Sequence, residues 1–250
     1  MKIALVTGGS RGLGKSMSLH IAAKGNDVVL TYKSKTAEAE EVVKQIEQSG
    51  RKAAALALDV SDSKSFDGFA ERLKQVLQTK WKRDDFNFLV NNAGIGIYAP
   101  FAETSEKQFD ELMNVQLKGP FFLTQKLLPL IKDGGRIVNI STGLARFALP
   151  GYAAYATMKG GIEVLTRYMA KELGARRISA NVVAPGAIET DFAGGAVRDN
   201  NEVNKFLASQ TALGRVGLPD DIGSVVASLL GDDNHWITAQ RIEASGGMFL

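Results

Sequence analysis

Short apolar runs alternate with longer amphipathic stretches from one end of the chain to the other. The runs are Ile3–Val6, Asp27–Thr31, Ala53–Ala57, Phe86–Val90, Arg136–Ile140, Ser179–Val183 and Arg241–Glu243. They are apolar on both sides, as strands are when a parallel sheet is covered on both faces. Between them, stretches near 13–24, 36–49, 63–78, 105–131, 152–173 and 219–230 carry apolar residues at i, i+3 and i+4, the period of a helix. Unbroken strand–helix alternation predicts an α/β fold, a doubly wound parallel sheet of about seven strands with helices on both faces. Gly25, Gly50 and Gly174 stand just past helix ends, where a left-handed cap is expected, and Pro219 opens the last helix. The stretch from Gly186 to about Leu213 has no clear period. It is expected to be an irregular substrate loop, around 186–213, covering an active site.

Composition narrows the class. The 250 residues are 45% hydrophobic and 23% charged, which suits one globular domain spanning 1–250. No cysteine is present, so disulfides and cysteine-ligated zinc are excluded and a cytoplasmic protein is expected. The chain opens directly into its first strand, with no basic-then-apolar leader, and no apolar run approaches the roughly 18 residues that span a bilayer. Net charge is +3 and the pI about 9.0, but the basic residues are scattered. Lys80-Trp81-Lys82-Arg83 runs straight into Asp84-Asp85, and no basic groove interleaved with aromatics appears. Neither nucleic acid nor membrane is an expected partner. His20 and His235 have no ligand-like spacing, so no metal is expected, and no nucleophile elbow supports a hydrolase.

The candidate chemistry lies in two motifs about 140 residues apart. Thr7-Gly8-Gly9-Ser10-Arg11-Gly12-Leu13-Gly14 follows the first strand and opens the first helix. Gly8, Gly12 and Gly14 permit a sharp turn and the close approach of a pyrophosphate, while the helix N-terminus offers N–H groups to it. This is a Rossmann-type dinucleotide turn, and Ser10, Arg11 and Leu13 fall within it. A 2′-hydroxyl-binding acid is absent from the end of the second strand, which reads Thr31-Tyr32-Lys33-Ser34-Lys35. Arg11, Lys33 and Ser34 suit a 2′-phosphate, so NADP(H) is preferred over NAD(H). The plainer alternative is that Lys33 and Lys35 are solvated loop lysines. The second motif, Tyr155-Ala-Thr-Met-Lys159, places a phenol and an ammonium one helical turn apart, on one face. A dinucleotide turn with a Tyr–Lys pair equips a site to move a hydride and a proton together.

These residues, with Asp59-Val60, Asn91-Asn92-Ala93-Gly94, Pro185-Gly186, Ile188, Thr190 and Ser245-Gly246-Gly247, make the chain similar to short-chain dehydrogenase/reductases. The resemblance covers essentially the whole chain and is nearest the 3-oxoacyl-[acyl-carrier-protein] reductase branch. It implies that Asp59 and Val60 flank the adenine, and that Asn91, Ala93 and Gly94 lie along the ribose and the floor of the site. Pro185, Gly186, Ile188 and Thr190 would hold the nicotinamide. Tyr155 would be the acid/base, and Lys159 would bind the nicotinamide ribose and lower the tyrosine pKa. A homotetramer acting on a small carbonyl or alcohol, free or carrier-bound, is implied as well.

Two positions depart from the pattern. Members carry a serine thirteen residues before the tyrosine, where this chain has Thr142, with Ser141 one place earlier. Strand alternation sends the two hydroxyls to opposite sides, and Thr142 is expected in the cleft with Ser141 in reserve. Members also carry an asparagine where this chain has Gln116, in Gln116-Leu117-Lys118-Gly119. Its amide is expected to hold a proton-relay water. The altered pair leaves a second reading open, a nucleotide-binding regulator with the same fold and little turnover. Tyr98, Phe147 and Tyr152 are candidate pocket aromatics, and the segment Ile95–Ala102 is expected to help set substrate choice.

Overall fold

The computed structural model describes residues 1–250. Seven strands form one sheet: β1 (Ile3–Val6), β2 (Asp27–Tyr32), β3 (Ala53–Ala57), β4 (Phe86–Asn91), β5 (Ile131–Ile140), β6 (Ser179–Pro185) and β7 (Arg241–Ala244). Their order is β3-β2-β1-β4-β5-β6-β7, and every pairing is parallel. The order reverses between β1 and β4, the switch point that opens a crevice at the carboxyl ends of the strands.

The helices are α1 (Gly12–Ala23), α2 (Thr36–Gln48), α3 (Phe66–Val76), α4 (Glu106–Met113), α5 (Gly119–Leu127), α6 (Ala153–Leu173), α7 (Ala196–Asp199), α8 (Asn201–Ser209) and α9 (Pro219–Leu229). Alternation along each strand divides the core into two. Ile3 and Leu5 join Phe66, Phe69, Leu73, Leu123 and Met169 beneath α3, α5 and α6. Ala4 and Val6 join Met17, Ile21, Val42, Ile46, Ile222 and Val226 beneath α1, α2 and α9. No helix is long and apolar enough to cross a membrane.

Three expectations need correction. The amphipathic stretch 105–131 is not one helix: α4 passes through a single π-turn, Asn114–Lys118, into α5, and Ile131 already belongs to β5. Pro120 supplies the reason, since it has no N–H to give the Gln116 carbonyl four residues back. Gly119 bonds instead to the Asn114 carbonyl, five residues back. The 186–213 stretch is not irregular throughout, because α7 and α8 form within it and Asn200 caps α8 by accepting from the N–H groups of Glu202 and Val203. Gly174 is not left-handed; α6 runs on through a tight turn, and Arg177 adopts the positive φ of 56°. Gly25 and Gly50, at φ 84° and 81°, do cap their helices as expected, and Pro219 is the first residue of α9.

Candidate active site

The crevice at the switch point is a cleft of about 650 Å³, running from the glycine turn after β1 to the N-terminal half of α6. At the turn, Gly8 has φ 65°, and a Cβ there would lie 2.9 Å from the Ala93 Cα. A Cβ on Gly14 would lie 2.0 Å from the Gly8 carbonyl oxygen, so neither position tolerates a side chain. The turn is braced from the end of β4. Asn92 Nδ2 donates to the carbonyls of Thr7, at 2.8 Å, and Gly8, at 3.2 Å. Thr7 Oγ1 accepts from the N–H groups of Asn92 and Ala93 at 2.9 and 3.0 Å. No side chain caps α1, which leaves its first N–H groups facing the cleft.

The structure brings Ser10, Arg11, Gly12 and Leu13 to this end of the cleft, with Lys33, Ser34, Asp59 and Val60. The cations there already have partners. Lys33 Nζ lies 2.7 Å from Asp59, and Arg11 lies 3.8 Å from Asp191. Burial opposes ionisation of Asp59, but Lys33 and Ser61 outweigh it and hold its pKa below the usual value. Asn91 stands apart from the expected set. Its side chain is buried beneath the cleft floor, where Nδ2 donates to Thr124 Oγ1 and Asn139 Oδ1 at 3.0 and 2.8 Å. Its neighbour Asn92 lines the cleft instead. Both stood in one motif, and strand alternation at the end of β4 was the signal that separates them.

At the other end, Thr142, Ser141, Tyr155, Lys159 and Gln116 line the wall with Ala93, Gly94, Pro185, Gly186, Ile188 and Thr190. The two hydroxyls part as alternation demands. Ser141 Oγ donates to Glu163 at 2.7 Å, away from the phenol, whereas Thr142 faces Tyr155. Tyr155 and Lys159 are buried one turn apart on α6. Lys159 Nζ donates to the Ile140 carbonyl at 2.8 Å and lies 5.8 Å from the centre of the Tyr155 ring. Burial pushes its pKa from 10.5 down to about 7. The lowering of the Tyr155 pKa expected from Lys159 does not prevail in this arrangement. Burial dominates and raises it, Thr142 pulls it down in part, and Tyr152 adds to the rise.

Gln116, carried inward by the π-turn, is fully buried; its Nε2 donates to the Ile95 carbonyl and its Oε1 has no partner. That oxygen lies beside Gly94, where a Cβ would approach it to 2.9 Å. Phe147 and Tyr152 line the cleft, but Tyr98 packs edge-on against Tyr152 outside it. Phe192, which the sequence did not single out, lies 5.8 Å from the Tyr155 ring and over Gly96. Leu144, Leu149 and Met248 join it on this apolar wall.

The family model described as enoyl-(acyl carrier protein) reductase matches residues 8–249. The chain belongs to the short-chain dehydrogenase/reductase family of oxidoreductases. The hydroxynaphthalene reductase-like protein Arp2 of Metarhizium brunneum is 34% identical over 258 residues, covering 98% of this chain and 94% of that protein. The structure of the promiscuous reductase LugOII, which catalyses keto-reduction at C1 during lugdunomycin biosynthesis, superimposes with a TM-score of 0.94. It is 37% identical, with 100% of this chain and 98% of that chain covered. The angucycline C-6 ketoreductase LanV, crystallised with bound NADP, gives a TM-score of 0.94 at 36% identity, covering 99% of this chain and 95% of that chain.

Proposed function

We propose that this chain is an NADPH-dependent ketoreductase that also oxidises the product alcohol with NADP. One observation carries the reading: Thr142, Tyr155 and Lys159 converge at one end of a cleft whose other end is a glycine turn rimmed by cations. The residues fit the dinucleotide. Gly8 and Gly14 leave space that a Cβ would fill, the α1 N-terminus is uncapped, and Lys33 and Ser34 stand where an acid would select NAD. Pro185, Gly186, Ile188 and Thr190 would hold the nicotinamide, and Lys159 its ribose.

NADPH, when bound, supplies the hydride that reaches the carbonyl carbon. Thr142 Oγ1 donates to the carbonyl oxygen and stabilises the charge that develops there. Tyr155 Oη delivers the proton to the same oxygen, and burial keeps that proton in place until it is needed. Lys159 returns a proton to the phenol from the α6 side, and the unpaired Oε1 of Gln116, on the π-turn, would accept from the water that relays it. The pocket beside Tyr155, lined by Leu144, Phe147, Leu149, Tyr152 and Phe192, suits a flat cyclic or aromatic ketone better than a charged acyl carrier. The ketoreductase and hydroxynaphthalene reductase relatives point the same way. Exposed Phe121 and Phe122 on α5, with Val164 and Tyr168 on α6, support self-association through this face, and the homotetramer that the family resemblance implies is checked by light scattering.

The test is a carbonyl panel including tetralone and phenanthrenequinone, followed by loss of NADPH absorbance. Turnover is expected; tight NADPH binding with no turnover on any ketone would establish the regulator instead. The cofactor choice is checked by kcat/KM for NADPH and NADH. Charge-assisted bonds contribute about 1.5–3 kcal/mol each, so Arg11→Ala/Lys33→Ala should erase most of the preference. Equal use of both cofactors by the wild type would refute it.

A further inference from the structure

A chain of charge-assisted bonds runs from the reaction end of the cleft to the C-terminal tail, and its centre is Arg241 on β7. Arg241 Nε donates to Glu163 Oε1 at 2.8 Å, the oxygen that also accepts from Ser141 Oγ. Nη1 donates to Glu243 Oε2 at 2.6 Å, and Nη2 donates to the backbone carbonyl of Thr142 at 3.2 Å. Glu243 is gripped from its other side by Arg146, through Nε at 2.8 Å and Nη2 at 2.7 Å. Arg146 in turn donates to the carbonyls of Met248 and Phe249, at 2.8 and 3.0 Å. Solvated ion pairs contribute little, but Arg241 is only 25% exposed and its two acids are 15% and 18% exposed.

The placement of these bonds matters more than their number. Glu163 follows Lys159 by four residues on α6, one turn along the same face. Ser141 and Thr142 are consecutive at the end of β5. Arg241 therefore holds the Thr142 carbonyl directly and residue 141 through Glu163, both on the side away from Tyr155. With those groups tied, the Thr142 hydroxyl, whose oxygen also accepts from the Leu144 N–H at 3.3 Å, is the group that interacts with the phenol. A planar guanidinium reaches three acceptors in fixed directions, which an ammonium on a flexible stem does not.

We infer that Arg241 is a positioning residue for the reduction, setting the Thr142 hydroxyl against Tyr155 through the Thr142 carbonyl and the Glu163–Ser141 tether. The inference rests on the assignment of Thr142 and Tyr155 proposed above. It also explains why two adjacent hydroxyls occur, one anchoring the strand and one facing the substrate.

The experiment is a double-mutant cycle between Arg241→Met and Thr142→Ala. It uses phenanthrenequinone at saturating NADPH, with NADPH affinity read separately from nicotinamide fluorescence and folding from thermal melts. A small misplacement of a catalytic group costs up to a hundredfold, so Arg241→Met should lower kcat by about ten- to a hundredfold. Its NADPH affinity should stay within about twofold of wild type, and in the Thr142→Ala background the further loss should be under about twofold. Arg241→Lys should recover only part of the rate. Equal fold losses in both backgrounds, or an unchanged kcat in Arg241→Met, would overturn the inference while leaving the site assignment intact. An unchanged kcat in Thr142→Ala alone would overturn the assignment, and the inference with it. Should Arg241→Met not fold, Glu163→Gln serves, because it keeps an oxygen for Ser141 and removes the ion pair. A smaller loss that vanishes with Thr142→Ala is expected there, and a loss that multiplies would again overturn the inference.

Discussion

At the scale of single residues, the site turns on which hydroxyl meets the substrate. Ser141 spends its proton on Glu163, and Thr142 faces the phenol. Loss of one donor to a developing oxyanion costs about 2.7–4 kcal/mol, so Thr142→Ala should lower kcat by about 10²–10³-fold. Ser141→Ala should cost far less, since Glu163 keeps its bond to Arg241. The comparison is steady-state kcat on one ketone, and a reversed order would place the wrong hydroxyl in the cleft. Tyr155→Phe removes only the oxygen and keeps the ring packed against Phe192. It should fold, bind NADPH and lose turnover by about 10²–10⁴-fold, the range for a general acid. Near-wild-type rates would end the case for Tyr155 as proton donor.

Among the elements, the π-turn at Asn114–Lys118 is the one that serves the site. It carries Gln116 fully inward, beside Gly94, with one amide oxygen unpaired. Gln116→Leu leaves the Ile95 carbonyl without its donor, a loss of about 1–3 kcal/mol in stability, and should slow proton resupply without moving NADPH affinity. Gln116→Asn, keeping the amide, should retain more activity. Unchanged kcat in Gln116→Leu would remove the relay from the mechanism.

The same element marks the limit of what the chain's pattern reveals. Six of the seven strands are legible because both sheet faces demand apolar residues, whereas β7, Arg241-Ile242-Glu243-Ala244, is only partly buried and legible chiefly by its place after the last helix. The glycine turn and Tyr155–Lys159 pair are legible because their chemistry fixes spacing. A five-residue π-turn shifts the helical period too little to register, although Pro120 announced that a hydrogen bond was missing. α7 and α8 are short and surface-lying, with only Leu207 fully buried between them, so no apolar stripe betrays them. Phe192 and Met248 reach the cleft from segments distant in sequence. The 186–213 stretch is expected over the site from its sequence, but which of its side chains enters, and that Met248 does, only tertiary packing shows.

On the scale of the whole molecule, burying Lys159 and Tyr155 together makes stability depend on pH in two opposite directions. Lys159 titrates near 7 in the folded chain and near 10.5 when unfolded. Between those values the unfolded state binds more protons, so stability rises with pH and levels off as the upper value is passed. Below about 7 the burial penalty on the ammonium is fully present. Tyr155 acts the other way. Its folded pKa lies above 10.0, so above that pH the unfolded state releases a proton that the folded state keeps, and stability falls. Glu243 and Asp221, held near 2 by Arg146 and Arg215, remain ionised across this window and add nothing to its slope. The cofactor-free protein should therefore gain stability steadily above pH 7 and be most stable near pH 10, by a few kcal/mol over pH 6. Falling net charge toward the pI of about 9.0 adds a weaker rise in the same direction. Lys159→Met separates the two, because it deletes the titration and leaves the net-charge term. Urea unfolding from pH 6 to 11 should show the rise in the wild type and a nearly flat line in the variant up to pH 10. Parallel profiles would mean that Lys159 is not held neutral by burial in the folded chain.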